Sequence, residues 1–267
     1  MDCVVFLQWA LPRLRMQWTG FRKVHKQVSK RIRRRVQELD LSGFPAYQAY
    51  LKTHPEEWAV LDGLCIITIS RFYRDRGVFT ALKEKVLPAL AARANAAGKP
   101  LRCWSAGCAS GEEPYTLVIL WEEALAERFT QVDFHITATD RDAHMLERAR
   151  SGCYAAGSMR ELPQAWRQGA FTRQGEVFFI RPEYKNRIHF LQQDIRQQMP
   201  EDVYDLILCR NLIGFYYDKS LQTELFQKIH AHLYPGGALV LGAHETLPAD
   251  IHSFKPWLEN EPIYVRV

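Results

Sequence analysis

Apolar residues recur at positions 21, 24, 28, 32, 36 and 39, the three- and four-residue spacing of an amphipathic helix, and Asp40-Leu-Ser-Gly43 closes it. Aromatics at 44, 47 and 50 mark a second helix. Pro55, at a favoured first-turn position, opens a third that runs to Leu61. These patterns predict a small all-helical domain over about residues 15–70. Residues 66–76 mix β-branched, aromatic and Arg positions and predict an extended joint. Residues 78–87 read as an amphipathic helix ending before Pro88. From Leu101 the rhythm becomes strand, loop, helix. Strands are expected from Leu101, over 132–140, 204–211 and 238–245, and at 263–267. Helices are expected over 116–125, 142–150 and 221–233, with a turn at Tyr234-Pro-Gly-Gly237. Strands alternating with helices imply a mostly parallel sheet. Residues 151–186 break this rhythm. The β runs 176–180 and 187–191 suggest a hairpin-like insertion, after which Leu191-Gln-Gln-Asp194-Ile195 ends a strand of the main sheet.

Composition changes this picture little. At 267 residues, 47% hydrophobic and 24% charged, the chain reads as an ordinary globular protein. No apolar run approaches the roughly 18–20 residues that span a bilayer. The apolar start lacks the basic region and cleavage site of a signal peptide. The six cysteines show neither C-x-x-C nor zinc spacing, so no metal is expected and reduced thiols in the cytoplasm are. The net charge of +5 is uneven. Ten Lys/Arg and no acid fall between Arg13 and Arg35, and the rest is slightly acidic. That basic face reads either as a solvated surface or as a docking surface for an acidic partner. Its aromatics lie on the apolar face and no nucleic-acid motif accompanies it.

The chemistry concentrates in Trp104-Ser-Ala-Gly-Cys-Ala-Ser-Gly-Glu-Glu-Pro-Tyr115, a glycine loop between strand and helix. Gly107 and Gly111 can take positive φ or admit a ligand close to the backbone. A phosphate loop would carry Lys and Ser/Thr after its glycines. Here Glu112 and Glu113 follow, which repel phosphate and suit hydroxyls, an ammonium or a sulfonium. S-adenosylmethionine (SAM) offers all three. Asp140 ends the next strand, where an acid accepts from ribose hydroxyls in Rossmann-like sheets, although an Asp there is often only a helix cap. Asp194 ends the strand that would lie beside an adenine, and Arg210-Asn211 end the most apolar strand at the edge where ligands bind.

These residues carry a resemblance. Ser70-Arg-Phe-Tyr-Arg-Asp75, the glycine-loop stretch, Ala138-Thr-Asp140, Leu208-Cys-Arg-Asn211, Tyr217-Asp218, Pro235-Gly-Gly237 and Leu241-Gly242 are similar to the CheR family, SAM-dependent methyltransferases that esterify glutamates on bacterial chemoreceptors. The resemblance covers about residues 20–248. It implies an α/β fold: a Rossmann-like class I methyltransferase sheet with an all-helical N-terminal domain and a small inserted antiparallel β-subdomain. The domains would span 1–75, including the joint, and 76–267, with the insertion at about 155–190.

The resemblance also implies site residues. The family's Asn-x-Thr-x-x-x-Arg falls on Thr68, Ser70 and Arg74. Its loop carboxylate falls on Glu113, with Glu112 beside it, and its ribose acid on Asp140. The adenine-side Asn-Leu pair becomes Asp194 and Ile195. The pair after the apolar strand becomes Asn211 and Leu212. Arg74 and Arg210 are expected to orient the acceptor or the carboxylate of SAM. The segment Arg210-Asn-Leu-Ile-Gly-Phe-Tyr-Tyr-Asp218 is one residue longer than the family's. Counting from Asp218 places the active-site Tyr on Tyr216, and counting from Asn211 places Phe215 there. The family's Gly-His-Ser-Glu reads Gly242-Ala-His-Glu245, with His244 and Glu245 either near substrate or capping the strand. Both departures bear on the acceptor. A small-molecule O-methyltransferase and a non-catalytic SAM-binding scaffold therefore stand beside the receptor methyltransferase.

Overall fold

The computed structural model describes residues 2–267, which divide into two compact units. One comprises Met1–Thr68 with Ile213–Gln222, the other Ile69–Leu212 with Thr223–Val267. The division thus falls at Thr68 rather than after Asp75.

The first unit is built on helices Cys3–Ala10, His25–Glu38, Phe44–Thr53 and Glu57–Cys65. It begins earlier than the periodicity from residue 15 suggests. Asp2 caps the first helix, its Oδ1 accepting from the Val5 amide at 2.9 Å. Phe6 then stacks on Phe44 and Tyr47, with ring centroids 5.3 and 5.7 Å away. The basic helix starts at His25 and buries Val28, Ser29, Ile32 and Val36. Glu57 is buried among the helices. Arg35 donates to both its oxygens (2.9 and 2.8 Å) and Tyr47 donates through its hydroxyl (2.8 Å). The returning segment is fixed by backbone. The Gln17 amide donates to the Tyr216 carbonyl (3.0 Å) and the Asp218 amide to the Arg15 carbonyl (2.9 Å). A Cβ on Gly20 would stand 1.9 Å from the Phe215 carbonyl oxygen, so no larger residue fits.

The second unit holds ten strands: β1 (Leu101–Ala106), β2 (Phe134–Asp140), β3 (Cys153–Ala155), β4 (Phe171–Gln174), β5 (Val177–Ile180), β6 (Ile188–Gln192), β7 (Tyr204–Leu208), β8 (Leu233–Val240), β9 (Phe254–Pro256) and β10 (Ile263–Arg266). Seven form one sheet in the order β6-β2-β1-β7-β8-β10-β9. The first five of these pair in parallel, and β10 is antiparallel to both β8 and β9. Every residue of β7 is buried, as a central parallel strand requires. The order reverses between β1 and β7, which puts the C-terminal ends of β1, β2 and β7 at the crevice where open α/β sheets bind ligands.

Three local expectations change. The hairpin of the insertion is β4 with β5, to which β3 adds, while residues 188–192 pair with β2 in the main sheet. β6 is half-buried on a parallel neighbour, so its apolar run belongs to the large core. Pro88 does not end its helix. The helical run continues from Arg76–Ala81 through a π turn at Leu82–Val86 into Leu87–Ala96. The π turn directly precedes Leu87-Pro88, where proline has no N–H to continue the regular ladder. Tyr234-Pro-Gly-Gly237 is a kinked part of β8, with a register shift against β7. A Cβ on Gly237 would lie 2.8 and 3.0 Å from the Tyr234 and Asp205 carbonyl oxygens.

Candidate functional site

β1 delivers the chain into the glycine loop, and the loop is fastened to the end of β2. The Gly107 and Cys108 amides both donate to the Thr139 carbonyl (2.8 and 2.9 Å). The Trp104 indole donates to the Thr139 hydroxyl (2.9 Å). The Ala109 amide reaches Asp140 Oδ2 at 2.8 Å, and the Asp142 amide reaches Oδ1 at 2.9 Å. The helix cap itself is Asp142, which accepts from the His144 and Met145 amides. Asp140 is therefore not the cap. Its carboxyl is raised above the usual range because burial outweighs those two amide bonds.

The loop's shape depends on φ values of 74° at Gly107, 52° at Ala109 and 89° at Gly111. The protein itself fills the space that the glycines leave. A Cβ on Gly107 would come within 2.9 Å of Leu212, and one on Gly111 within 2.9 Å of Ala149 and 3.1 Å of the Tyr154 hydroxyl. Gly111 thus admits a neighbouring helix and Tyr154 rather than a ligand.

The two glutamates part company. Glu112 is buried and accepts from the Ser110 hydroxyl. Glu113 turns to the strand ends, where its Oε1 accepts from Ser105 (2.7 Å) and its Oε2 from Arg210 Nη1 (3.0 Å). Arg210 also donates to Asp75 (2.6 Å) and to the Arg74 carbonyl (2.9 Å). Its side chain is 3% exposed and lies over the Phe79 ring at 5.2 Å. Its Nε is buried without a hydrogen-bond partner. Arg210 is thus not a hand extended to a substrate carboxylate, as its place at a strand end suggests. It is the bond between the joint, the glycine loop and β7.

Arg74 is bonded differently. It is half-buried, donates to the Ile69 carbonyl (2.9 Å) and pairs with no carboxylate among the described residues. Tyr73 and Asp75 on either side hold φ of 57° and 62°. Asn211, after Arg210, holds 56°. Of the six non-glycine residues with positive φ among the described residues, four lie in these three loops. Backbone strain of about 1–3 kcal/mol per residue persists where the surroundings impose it, and it gathers at functional sites.

Glu245 fastens the end of β8 to the segment after β7, accepting from the Asn211 amide (2.5 Å) and the Gly242 amide (2.8 Å). It therefore caps, while His244 is exposed. Asp194 follows β6 and is clasped by Arg196, whose backbone amide and guanidinium all donate to it. Ile195 beside it is buried. Burial alone would raise the Asp194 carboxyl, but the Arg196 bonds hold it below the usual range. The neighbouring Gln193 Oε1 is buried without a partner.

Among the expected residues, the second unit thus gathers Gly107, Glu113, Asp140, Arg74, Arg210, Asn211 and Leu212 around the ends of β1, β2 and β7. Ser70 is half-buried in the joint. Thr68 and Tyr216 belong to the first unit. There the Tyr216 hydroxyl donates to the Ile67 carbonyl (2.8 Å) and accepts from the Ile67 amide (3.0 Å). Four partners in these bonds carry no assignment from local sequence pattern: Ser105, Asp75, Arg196 and the Thr139 carbonyl. Asp75 is the acid next to Arg74 in Ser70-Arg-Phe-Tyr-Arg-Asp75, and that adjacency is a usable signal.

Comparison with known proteins bears on this geometry. Residues 68–261 match the CheR methyltransferase SAM binding domain, and residues 24–61 match the CheR methyltransferase all-alpha domain. A chemotaxis protein methyltransferase of Listeria innocua is 37% identical over 70% of this chain and 69% of its own length. A probable chemotaxis protein methyltransferase of Rhizobium etli is 31% identical over 85% of each chain. Chemotaxis protein methyltransferase 1 of Pseudomonas aeruginosa is 34% identical over 66% of this chain and 65% of its own length.

Proposed function

We propose that this chain, which belongs to the CheR methyltransferase family, methylates glutamate side chains of a chemoreceptor-like protein to give methyl esters. It is a SAM-dependent methyltransferase with the fold of that family. When bound, SAM would supply an electrophilic sulfonium methyl group: the carboxylate oxygen would bond to the methyl carbon as the carbon–sulfur bond breaks and S-adenosylhomocysteine leaves.

The acceptor glutamate is already ionised at pH 7, so no strong general base is needed. The protein's task is to desolvate it and aim it. The observation that carries the reading is the difference between the two arginines. Arg210 is consumed by Glu113 and Asp75, whereas Arg74 is half-buried, strained on its C-terminal side by Asp75 and without an acid. In this reading Arg74 presents a guanidinium fork to a carboxylate at the sheet edge. Gly107, Glu113, Asp140, Asp194, Ile195, Asn211 and Leu212 line the cofactor side in this reading, with Ser70 completing it. Glu112 supports the loop from within. Tyr216 acts by holding Ile67 rather than by donating to substrate.

The basic helix would meet the acidic protein acceptor. Its Lys26, Lys30, Arg33 and Arg34 line a groove of about 700 Å³ together with His25 and Asp2. The cytoplasm suits both the reaction and six free cysteines. A second reading, O-methylation of a small molecule, is favoured by the lengthened segment 210–218 and the altered tip Gly242-Ala-His-Glu245.

The deciding experiment is transfer of tritiated methyl from SAM to receptor cytoplasmic domains and to cell extract. Base-labile label in a receptor is the expected result. Base-stable or small-molecule label would replace it with the second reading. SAM binding without transfer to any acceptor would mark a regulatory scaffold.

A further inference from the structure

The basic helix His25–Glu38 carries two kinds of cation. Arg31, Arg34 and Arg35 are bonded within the first unit. Arg31 donates to the Ile66 carbonyl (2.6 Å), Arg34 to Glu38 (3.2 Å) and Arg35 to Glu57 (2.9 and 2.8 Å). Lys26, Lys30 and Arg33 make no hydrogen bond or ion pair among the described residues. Arg33 only lies over the Phe44 ring, at 5.9 Å. All three line the groove of about 700 Å³, together with Arg34 and the start of the helix Cys3–Ala10. Four Lys/Arg side chains there meet a single carboxylate, Asp2, whose Oδ1 is already held by the Val5 amide.

This arrangement works against the helix. Lys30 stands four residues from Lys26 and from Arg34 and three from Arg33, spacings at which like charges destabilise a helix. Lys26 also lies in the first turn, where the helix dipole disfavours a cation, and no acid stands in that turn. Solubility alone does not require it, because alternating Lys and Glu solvate a helix face without repulsion. One sign of charge gathered around a concavity concentrates anions instead.

Shape and charge density select the anion. The groove falls within the range of about 300–1,000 Å³ typical of small-ligand sites. Lys26 to Arg33 spans about 10 Å of helix. A phosphate group brings up to about two charges and three acceptor oxygens, and a guanidinium grips it as a fork. A carboxylate brings one charge, so a peptide would need several acids converging in the groove to match one short phosphate chain.

We propose that this groove is a binding site for a free ligand bearing two or three linked phosphate groups, held by Lys26, Lys30 and Arg33. Because the same face would receive the acidic acceptor, the bound ligand excludes that acceptor. This consequence, unlike the binding itself, rests on the function proposed above.

The test is calorimetric titration of the full chain with inorganic triphosphate at low ionic strength, without divalent cations and with the cofactor site saturated by S-adenosylhomocysteine. Uridine triphosphate forms a second arm. Equal affinity assigns recognition to the phosphate chain, and tighter binding shows that a nucleotide is the better source of it. K26Q, K30Q and R33Q should each weaken triphosphate about threefold to tenfold, and the triple variant about 30-fold or more. K85Q/K99Q/K255Q removes the same charge from exposed positions of the second unit and should stay within about twofold. Thermal unfolding checks that both triple variants fold. A parent that does not bind triphosphate overturns the proposal. Equal losses in the two triple variants also overturn it, since they would show diffuse attraction. Loss of receptor-domain binding in K26Q/K30Q/R33Q, with no triphosphate binding by the parent, would leave the groove to the acidic protein and overturn it too. In methylation assays triphosphate should raise the KM for the receptor domain and leave that for SAM unchanged; an unchanged receptor KM refutes the exclusion. If triphosphate binds in the groove but no receptor is ever methylated, the proposed function fails and the phosphate site stands.

Discussion

Two buried arginine–carboxylate clusters, one in each unit, use the same chemistry to different ends. Around Glu57, Arg35 and Tyr47 join three helices and satisfy both carboxylate oxygens. Around Arg210, Glu113 and Asp75 join the glycine loop, the joint and the end of β7. The first cluster is closed and sits on ordinary helical backbone. The second is strained and incomplete, with Tyr73, Asp75, Ala109 and Asn211 at positive φ, an unpartnered Arg210 Nε, and Arg74 beside it without an acid. A structural cluster finishes its own bonds. The second cluster keeps strained backbone, and beside it Arg74 keeps a guanidinium without a carboxylate among the described residues.

The sharpest way to break this contrast is to remove each arginine. Arg210→Met strands Glu113 and Asp75, and about 3 kcal/mol of stability should be lost, toward the low end for a broken buried pair because Asp75 stays partly exposed. SAM binding and methyl transfer should fall with it. Arg35→Met should cost about 2 kcal/mol, since Arg35 is partly exposed, yet leave SAM affinity within about twofold. Thermal unfolding and calorimetry read both effects, and equal losses of SAM affinity in the two variants would erase the distinction.

Asp140→Ala should weaken SAM about tenfold, through loss of the proposed ribose contact and of the Ala109 tether. Because the Asp140 carboxyl lies above the usual range, its ionised form is lost as pH falls through that raised value. Binding should therefore weaken on acidification, starting above the ordinary carboxylate range of about 4. A pH series of titrations checks this, and Asp140→Asn should flatten it.

Glu57 is shifted in the opposite direction. Its hydrogen bonds from Arg35, against burial, hold its carboxyl below the usual range. The stability it contributes is thus present above the unfolded-state value of about 4.3 and is lost as pH falls through the lower folded value. Glu57→Gln should cost about 1–2 kcal/mol near neutrality, and the difference from the parent should shrink toward zero in strong acid. Denaturant unfolding at several pH values measures it.

The smallest effect is expected from Tyr216→Phe. Loss of the two bonds to Ile67 should cost about 1 kcal/mol and slow transfer modestly. A near-complete loss of transfer with unchanged stability would restore Tyr216 as a direct donor to substrate.

Much of this was legible in the chain. The spacing of Val28, Ile32 and Val36 marked the basic helix, and the all-apolar β7 marked the centre of the sheet. Trp104–Tyr115 named the cofactor through its glycines and acids. Other features escaped because distant partners create them. Asp75 and Arg210 stand 135 residues apart. No local pattern says that Arg210 is used up and Arg74 is not. The strand 188–192 looked like half of a hairpin because a short apolar run does not reveal its partner.

The sequence alone determined the alternation of strands and helices, the helical first unit and the chemistry that favours SAM. Local periodicity and side-chain type carry that information over a few residues. Only the tertiary structure decided which charges remain available. Availability depends on what each side chain meets across the fold, and Glu113, Arg210 and Asp75 meet only once the sheet, the loop and the joint have come together.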